Sequence, residues 1–131
     1  MKYRLMDILA CPYCKVFPLR LVVLEEKIYE ERRAVGEPPL CELYCRFKGK
    51  PVKELGSPPP CDECIKREIV HGLLICDKCN RWYPIIDEIP ILLPDELRKE
   101  KEDLKFLRRF KERIPPEVLQ KGRPFNLTEE T

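Results

Sequence analysis

Eight cysteines fall into four close pairs, Cys11/Cys14, Cys41/Cys45, Cys61/Cys64 and Cys76/Cys79, and occur nowhere else in the 131 residues. Three pairs are C-x-x-C and one is C-x-x-x-C. This spacing lets two thiolates of one tight turn reach a single tetrahedral Zn²⁺, each about 2.3 Å from the metal. Two turns complete a four-sulfur shell, so four turns complete two shells with no ligand left over. The count implies two structural zinc ions per chain. It argues against a catalytic zinc, which keeps an open position or a mixed ligand set.

Disulfides are the competing use of the same residues. Met1 to Ala10 contain no long apolar run, and no stretch is suited to spanning a bilayer, so the expected location is the cytoplasm, where thiols stay reduced. Charged residues at 37%, 14 prolines and side-chain amides only at Asn80, Gln120 and Asn126 point to a thermophile. Cytosolic disulfides do occur in hyperthermophiles. A bridge within one C-x-x-C is a poor structural link, so metal is expected at the outer pairs. At the inner pairs metal is preferred and disulfides stay open.

Metal loading also changes the electrostatics. Ligation deprotonates thiols, so eight thiolates and two dications turn the formal charge of +2 into −2. A slightly acidic chain has little generic affinity for nucleic acid, which rests on neutralising phosphates.

The elements that must position the thiols are readable in outline. Tyr3 to Ala10 places Leu5, Ile8 and Leu9 at helical spacing, and strand and turn fit the segment equally well. Pro18 to Leu24 is β-branched and apolar and reads as a strand; Glu25 to Arg33 either prolongs it or forms a helical turn. Glycines and prolines from Val35 to Pro60 break regular structure. Glu68–Ile75 reads as a strand with a bulge or bend at Gly72, Arg81–Ile86 as another, Asp87-Glu88 as a turn, and Ile89–Leu93 as a third strand. Asp95 then caps a helix whose stripe is Leu97, Leu104, Leu107, Phe110 and Ile114, ending at Pro115-Pro116; residues from Lys121 read as frayed.

These elements predict a small zinc-stabilised α+β fold: a zinc-ribbon-like antiparallel β-sheet with flanking helices and a loop-rich metal-binding insertion. Residues 1–34 and 67–97 form the discontinuous ribbon, 35–66 the insertion, and 98–131 the amphipathic helix and tail. The cysteine turns can pair sequentially, cross-braced or nested. Nesting is favoured, because both outer turns lead into β-rich stretches and the inner two flank one proline-rich loop. It places Cys11, Cys14, Cys76 and Cys79 on one metal and Cys41, Cys45, Cys61 and Cys64 on the other. Closing the long outer loop also removes the most unfolded-state entropy.

Met6-Asp-Ile-Leu-Ala-Cys-Pro-Tyr-Cys14, Gly72-Leu-Leu-Ile-Cys-Asp-Lys-Cys79 and Trp82-Tyr-Pro-Ile-Ile-Asp-Glu-Ile-Pro-Ile-Leu-Leu-Pro94 resemble the small zinc-ribbon activator subunits of tRNA, rRNA and release-factor methyltransferases. That family is eukaryotic and archaeal, with shorter bacterial relatives. The resemblance covers about residues 1–24 and 68–97. It implies a non-catalytic subunit that forms a heterodimer with S-adenosylmethionine-dependent methyltransferases, covers an apolar surface on them and supports their folding and cofactor binding. The family's zinc ligands fall on Cys11, Cys14, Cys76 and Cys79, and its partner-binding strand on Ile89, Pro90, Ile91, Leu92 and Leu93. Two features depart from the pattern: Glu88 stands where relatives often have a small residue, and the inner-cysteine insertion lies outside it. Eukaryotic members carry a helical insertion at about this point.

Several residues have plainer readings. The apolar run from Ile85 to Leu93 exceeds what one face of a ribbon buries. Either the following helix covers it, or an exposed edge remains for β-augmentation, and the two are compatible. Trp82 is expected in the core and Tyr83 at the interface. His71, the only histidine, could replace a cysteine as ligand but reads as a surface or strand residue, since the thiolates already complete the shells. The rival function is a nucleic-acid-binding ribbon using Lys15, Arg20, Lys78 and Arg81, with direct RNA contact secondary in the main reading. No phosphate loop, nucleophile–histidine arrangement or carboxylate pair marks an enzyme.

Overall fold

The apolar run after Pro18 forms strand β1 (Arg20–Ile28), which continues through the charged residues that follow Leu24. A computed structural model describes residues 1–128. β1 pairs antiparallel with β4 (Arg67–Ile75), β4 with β5 (Trp82–Ile86), and β5 with β6 (Ile89–Pro90), giving one sheet of order β1-β4-β5-β6. The β1–β4 ladder is irregular at its middle. Leu24 is left over between Val23, opposite Gly72, and Glu25, opposite His71; Val70 is left over on β4 before Glu26 meets Ile69. Paired bulges of this kind bend both strands without losing register downstream.

Strand alternation fills both faces of the sheet. Leu21, Ile69, Leu74, Tyr83 and Ile85 point to one side, against Met1, Met6 and Leu19. Leu24, Leu73, Ile75 and Trp82 point to the other, against Phe106, Leu107, Phe110, Ile114, Val118 and Leu127. The first face is covered by the amino-terminal 3-10 turn (Tyr3–Asp7), and the second by α2 (Glu100–Arg109) and α3 (Pro116–Lys121). His71 is buried in β4 against the Phe110 ring, 5.6 Å between centroids. No helix among the described residues is long and apolar enough to cross a membrane.

The chain departs from the sequence reading in four places. The helix expected from Asp95 to Ile114 is broken: a 3-10 turn (Asp95–Leu97) stops at Arg98, and a second (Lys111–Arg113) follows α2. The break follows from Arg98, whose Nη1 donates to the Trp82 carbonyl at 2.7 Å and whose guanidinium lies 4.6 Å over the Trp82 ring. Its Nη2 sits 2.8 Å from Asp103, an ion pair not aligned as a hydrogen bond, and burial pushes the Asp103 carboxyl up. Second, residues 121–128 are not frayed; the last three residues of that expectation, 129–131, lie outside the described residues. Trp82 donates from N to Arg123 O (3.2 Å) and from Nε1 to Phe125 O (2.9 Å), and Leu127 is buried.

Third, the expected strand Ile89–Leu93 is only the two residues of β6. Pro84 carries no N–H to answer the bond that Ile91 donates to its carbonyl at 2.9 Å, so the ladder ends there. Fourth, residues 35–66 contain regular pieces: a ribbon of β2 (Tyr44–Cys45) and β3 (Lys50–Pro51), a 3-10 turn (Val52–Glu54) and α1 (Cys61–Lys66).

Gly72 lies where the bent β1 backbone comes closest: a Cβ there would stand 2.7 Å from Val22 O and 3.3 Å from Ile85 Cδ1. Gly72→Ala is expected to lower stability by about 1–3 kcal/mol, the usual range for overpacking, in thermal or denaturant unfolding. Gly56→Ala, whose Cβ would meet nothing within 4 Å, should stay within about 0.5 kcal/mol of wild type.

Candidate metal centre

The two outer turns have the same local design. In each, the residue after the second cysteine donates its N–H to the carbonyl of the first: Lys15 to Cys11 O and Asn80 to Cys76 O, both at 2.9 Å. In each, the first cysteine's own N–H is held from beyond the turn, Cys11 N by Val16 O (3.1 Å) and Cys76 N by Arg81 O (2.9 Å). Lys15 and Asn80 both take positive φ, 61° and 63°. Asn enters that region readily, and Lys does so only when its surroundings compel it.

This geometry turns the sulfurs of Cys11, Cys14, Cys76 and Cys79 inward, all within 4.8 Å of one another. Tetrahedral coordination with arms of about 2.3 Å places sulfurs about 3.8 Å apart; Cys11 Sγ and Cys79 Sγ stand 3.8 Å apart. The donor set is all sulfur, as a closed structural zinc site requires, and Cys11 and Cys76 are fully buried. The residues present therefore fit the metal.

Electrostatics point the same way. Burial works against the Cys11 thiolate, but the Cys14 and Tyr13 amides and the Tyr83 hydroxyl bring the thiol down to about 6. With one sulfur ionised, its neighbours resist: hydrogen bonding to the Cys79 sulfur, with burial and the charges of Cys79 and Cys76, pushes Cys14 up to about 12. Four thiolates so close are compatible only around a cation. Arg81 adds a positive charge beside them. Its guanidinium binds Asp95 (Nε–Oδ1 3.0 Å, Nη2–Oδ2 2.8 Å), lies 3.6 Å over the Tyr13 ring, and is held charged first by Asp95 and then by the Cys79 sulfur. Asp95, expected to cap a helix, serves this pair instead.

Tyr83, expected at an interface, is fully buried, with its hydroxyl 3.6 Å from Cys11 Sγ. It supports the centre from within and offers nothing to a partner in this conformation. The other residues of the expected partner strand lie at the sheet edge. Ile89 is exposed, Pro90, Ile91 and Leu92 are partly buried with Leu92 packed on the core, and Leu93 is 37% exposed.

The inner cysteines are placed elsewhere. Cys41, Cys45, Cys61 and Cys64 border a single cavity, but among the described residues only the outer four have sulfurs all within 4.8 Å. Burial pushes Cys41 up to about 11, and burial with the neighbouring inner thiols pushes Cys64 up to about 12. Asp7 ties this loop to the ribbon, a role the sequence reading missed. Its carboxylate accepts from the amides of Glu42 (2.8 Å), Leu43 (2.7 Å) and Tyr44 (2.7 Å). No periodicity or motif links residues 35 to 37 positions apart, so only the fold reveals it.

Burial alone would raise the Asp7 carboxyl, but these amides, with Arg4, hold it below the ordinary carboxylate range. A depressed carboxyl contributes stability that is complete above its unfolded value, about 3.9, and is lost as pH falls through the lower folded value. Asp7→Asn should therefore cost roughly 1–2 kcal/mol at pH 7 and raise hydrogen exchange at amides 42–44. The difference from wild type should shrink in acid, as measured by exchange and denaturant unfolding at matched pH.

No curated protein matches the chain. The model of a family described as Trm112p-like protein matches residues 2–88, which include both outer turns, strands β1 to β5 and the insertion. With four cysteines close enough to bind one metal ion in a small antiparallel sheet, the chain belongs to the Trm112p-like family, the methyltransferase activator subunits.

Proposed function

We propose that this chain is a non-catalytic, zinc-binding partner subunit that stabilises and activates S-adenosylmethionine-dependent methyltransferases acting on tRNA, rRNA or translation release factor. Family membership supports the class of partner. The observation that carries the mode of action is an apolar sheet edge held by a rigid scaffold. β6 is the last strand of the sheet, and Ile89, Leu93 and Leu97 are 61%, 37% and 58% exposed around it. Pro84, Ile86, Ile91, Leu93 and Leu97, together with the charged Arg98, Lys99, Glu102 and Asp103, line a cleft of about 220 Å³ beside that edge.

The opposite edge of the sheet is different in kind. β1 carries Glu25, Glu26 and Lys27, the charges by which edge strands avoid pairing. Apolar residues on one edge and charges on the other support β-augmentation at β6 and not at β1. Zinc on Cys11, Cys14, Cys76 and Cys79 would cross-link the turn before β1 to the turn that joins β4 and β5, with no position left for a substrate. The edge is then preorganised, and little further entropy is lost on binding.

The nucleic-acid reading loses two of its four cations to internal pairs. Arg20 binds Asp77 (2.9 Å) and Glu117 (3.0 Å), and Arg81 binds Asp95. Neither is available to neutralise a phosphate without breaking a pair.

The test is co-expression of the tagged chain with S-adenosylmethionine-dependent methyltransferases of its own cell. A stable one-to-one complex is expected, with the methyltransferase more soluble and binding cofactor more tightly than alone. Ile89→Asp and Leu93→Asp place a charge where the contact becomes dry, and each should weaken association by about a hundredfold or more. Zinc content and far-UV circular dichroism should stay at wild-type values. If both variants fold and co-purify as the wild type does, this edge is not the contact.

A further inference from the structure

Residues 35–60 lack a core of their own. Within them only Cys45 and Pro59 are buried, and Gly36, Pro38, Pro39, Gly49, Gly56 and Pro58 to Pro60 deny the segment long elements. Ordering a backbone costs conformational entropy at every residue, and a loop that buries almost nothing cannot recover it from apolar contact. Yet the segment follows a definite path. Asp7 holds one point of it through three amides. The other point where it closes is the set of inner cysteines.

Those four thiols arrive from two separate pieces of chain. Cys41 and Cys45 come from the start of the β2–β3 ribbon, and Cys61 and Cys64 from α1. All four border one cavity of about 20 Å³, room for a single water-sized occupant. The rest of the wall is Pro39, Leu40, Phe47, Pro59, Pro60 and Ile65, with the Arg4 side chain as its one charged member among the described residues; the Asp7 carboxylate also lies close enough to act on Cys41. Apolar walls offer no polar partner to a water, whereas four sulfurs and an adjacent cation suit a thiolate cluster of net charge −2.

We propose that Cys41, Cys45, Cys61 and Cys64 form a second metal site, which takes one thiophilic, tetrahedral dication, zinc, and clips the insertion shut. On binding, each thiol gives up its proton, so one Zn²⁺ and four thiols yield a tetrathiolate of charge −2 and four released protons. The sulfurs close to about 3.8 Å of one another around arms of about 2.3 Å, and the cavity is filled. Arg4 compensates the residual charge. This site is separate from the outer centre and does not rest on the partner reading.

The experiment uses the full chain, purified under reducing conditions without chelator or added metal. Elemental analysis and native mass spectrometry should find two zinc ions per chain. Cys61→Ser/Cys64→Ser and Cys41→Ser/Cys45→Ser should each hold one, with the loss of hydrogen-exchange protection confined to about residues 35–66. Cobalt(II) exchange gives an independent reading: sulfur-to-cobalt charge-transfer absorbance should saturate at two equivalents in the wild type and at one in either double variant. One zinc per wild-type chain, two retained in the double variants, or inner cysteines recovered as disulfides would each overturn the proposal. Methyltransferase association is measured on the same samples, and its loss with metal counts as expected would fall on the partner reading alone.

Discussion

Four sulfurs brought within 4.8 Å of one another are the constraint from which the rest of this molecule follows. Cys11 and Cys79 are 68 residues apart in sequence, and joining them closes the loop that contains β1, the insertion and β4. Thiolates at that distance repel, so the arrangement needs a dication, and the turns are shaped in advance to receive one. Each turn closes on the carbonyl of its first cysteine, whose own N–H is bound by Val16 O or Arg81 O, and the Tyr83 hydroxyl and the Arg81 guanidinium lie beside the sulfurs. Zinc in such a site contributes folding free energy on the order of 10 kcal/mol, comparable to the whole stability of a small domain.

The sheet between the turns is apolar on both faces, which is unusual for so few strands and explains the termini. The amino-terminal turn covers one face, and α2, α3 and the residues up to Leu127 cover the other. The Met1 ammonium donates to Ile69 O and Glu88 O at 2.7 Å and pairs with Glu68, which also holds Arg32. Those contacts support the β5–β6 turn, where Asp87 and Glu88 both adopt positive φ, 49° and 72°. Two such residues in succession form the hairpin turn that matches strand twist, one that normally selects Asn-Gly. Glu88 is kept there by its N–H to Val70 O and by the Tyr29 hydroxyl on its carboxylate.

Charges at the metal end serve the fold, and at the β6 edge the exposed apolar residues Ile89, Leu93 and Leu97 stand beside charged ones. Arg20 and Arg81 are bound to carboxylates near the outer turns, and Arg98 is turned inward beneath Trp82. The buried Arg98–Asp103 pair adds little net stability, since desolvation of both charges opposes their attraction. Its effect is positional. It ends the 3-10 turn after Leu97, starts α2 on a new axis, and leaves Leu97 at the surface beside Leu93.

The sequence by itself determined the chemistry and the strands. Pairs of cysteines at C-x-x-C spacing announce thiolate metal binding because both ligands come from one turn, and local spacing is enough to see it. The short β-branched and apolar runs in Pro18–Leu24, Glu68–Ile75 and Arg81–Ile86 mark β1, β4 and β5 for the same reason: composition over a few residues is a local property. Tertiary structure alone decided what depends on distant partners. Which turns face each other, the burial of Tyr83 against Cys11, the triple amide cap by Asp7, the helix break at Arg98 and the docking of the tail on Trp82 all arise between segments far apart in sequence. Even the length of β6 was decided by Pro84 on the neighbouring strand, which has no N–H to return the bond from Ile91. A residue's type says what it can bond to; only the fold says what lies within 3 Å of it.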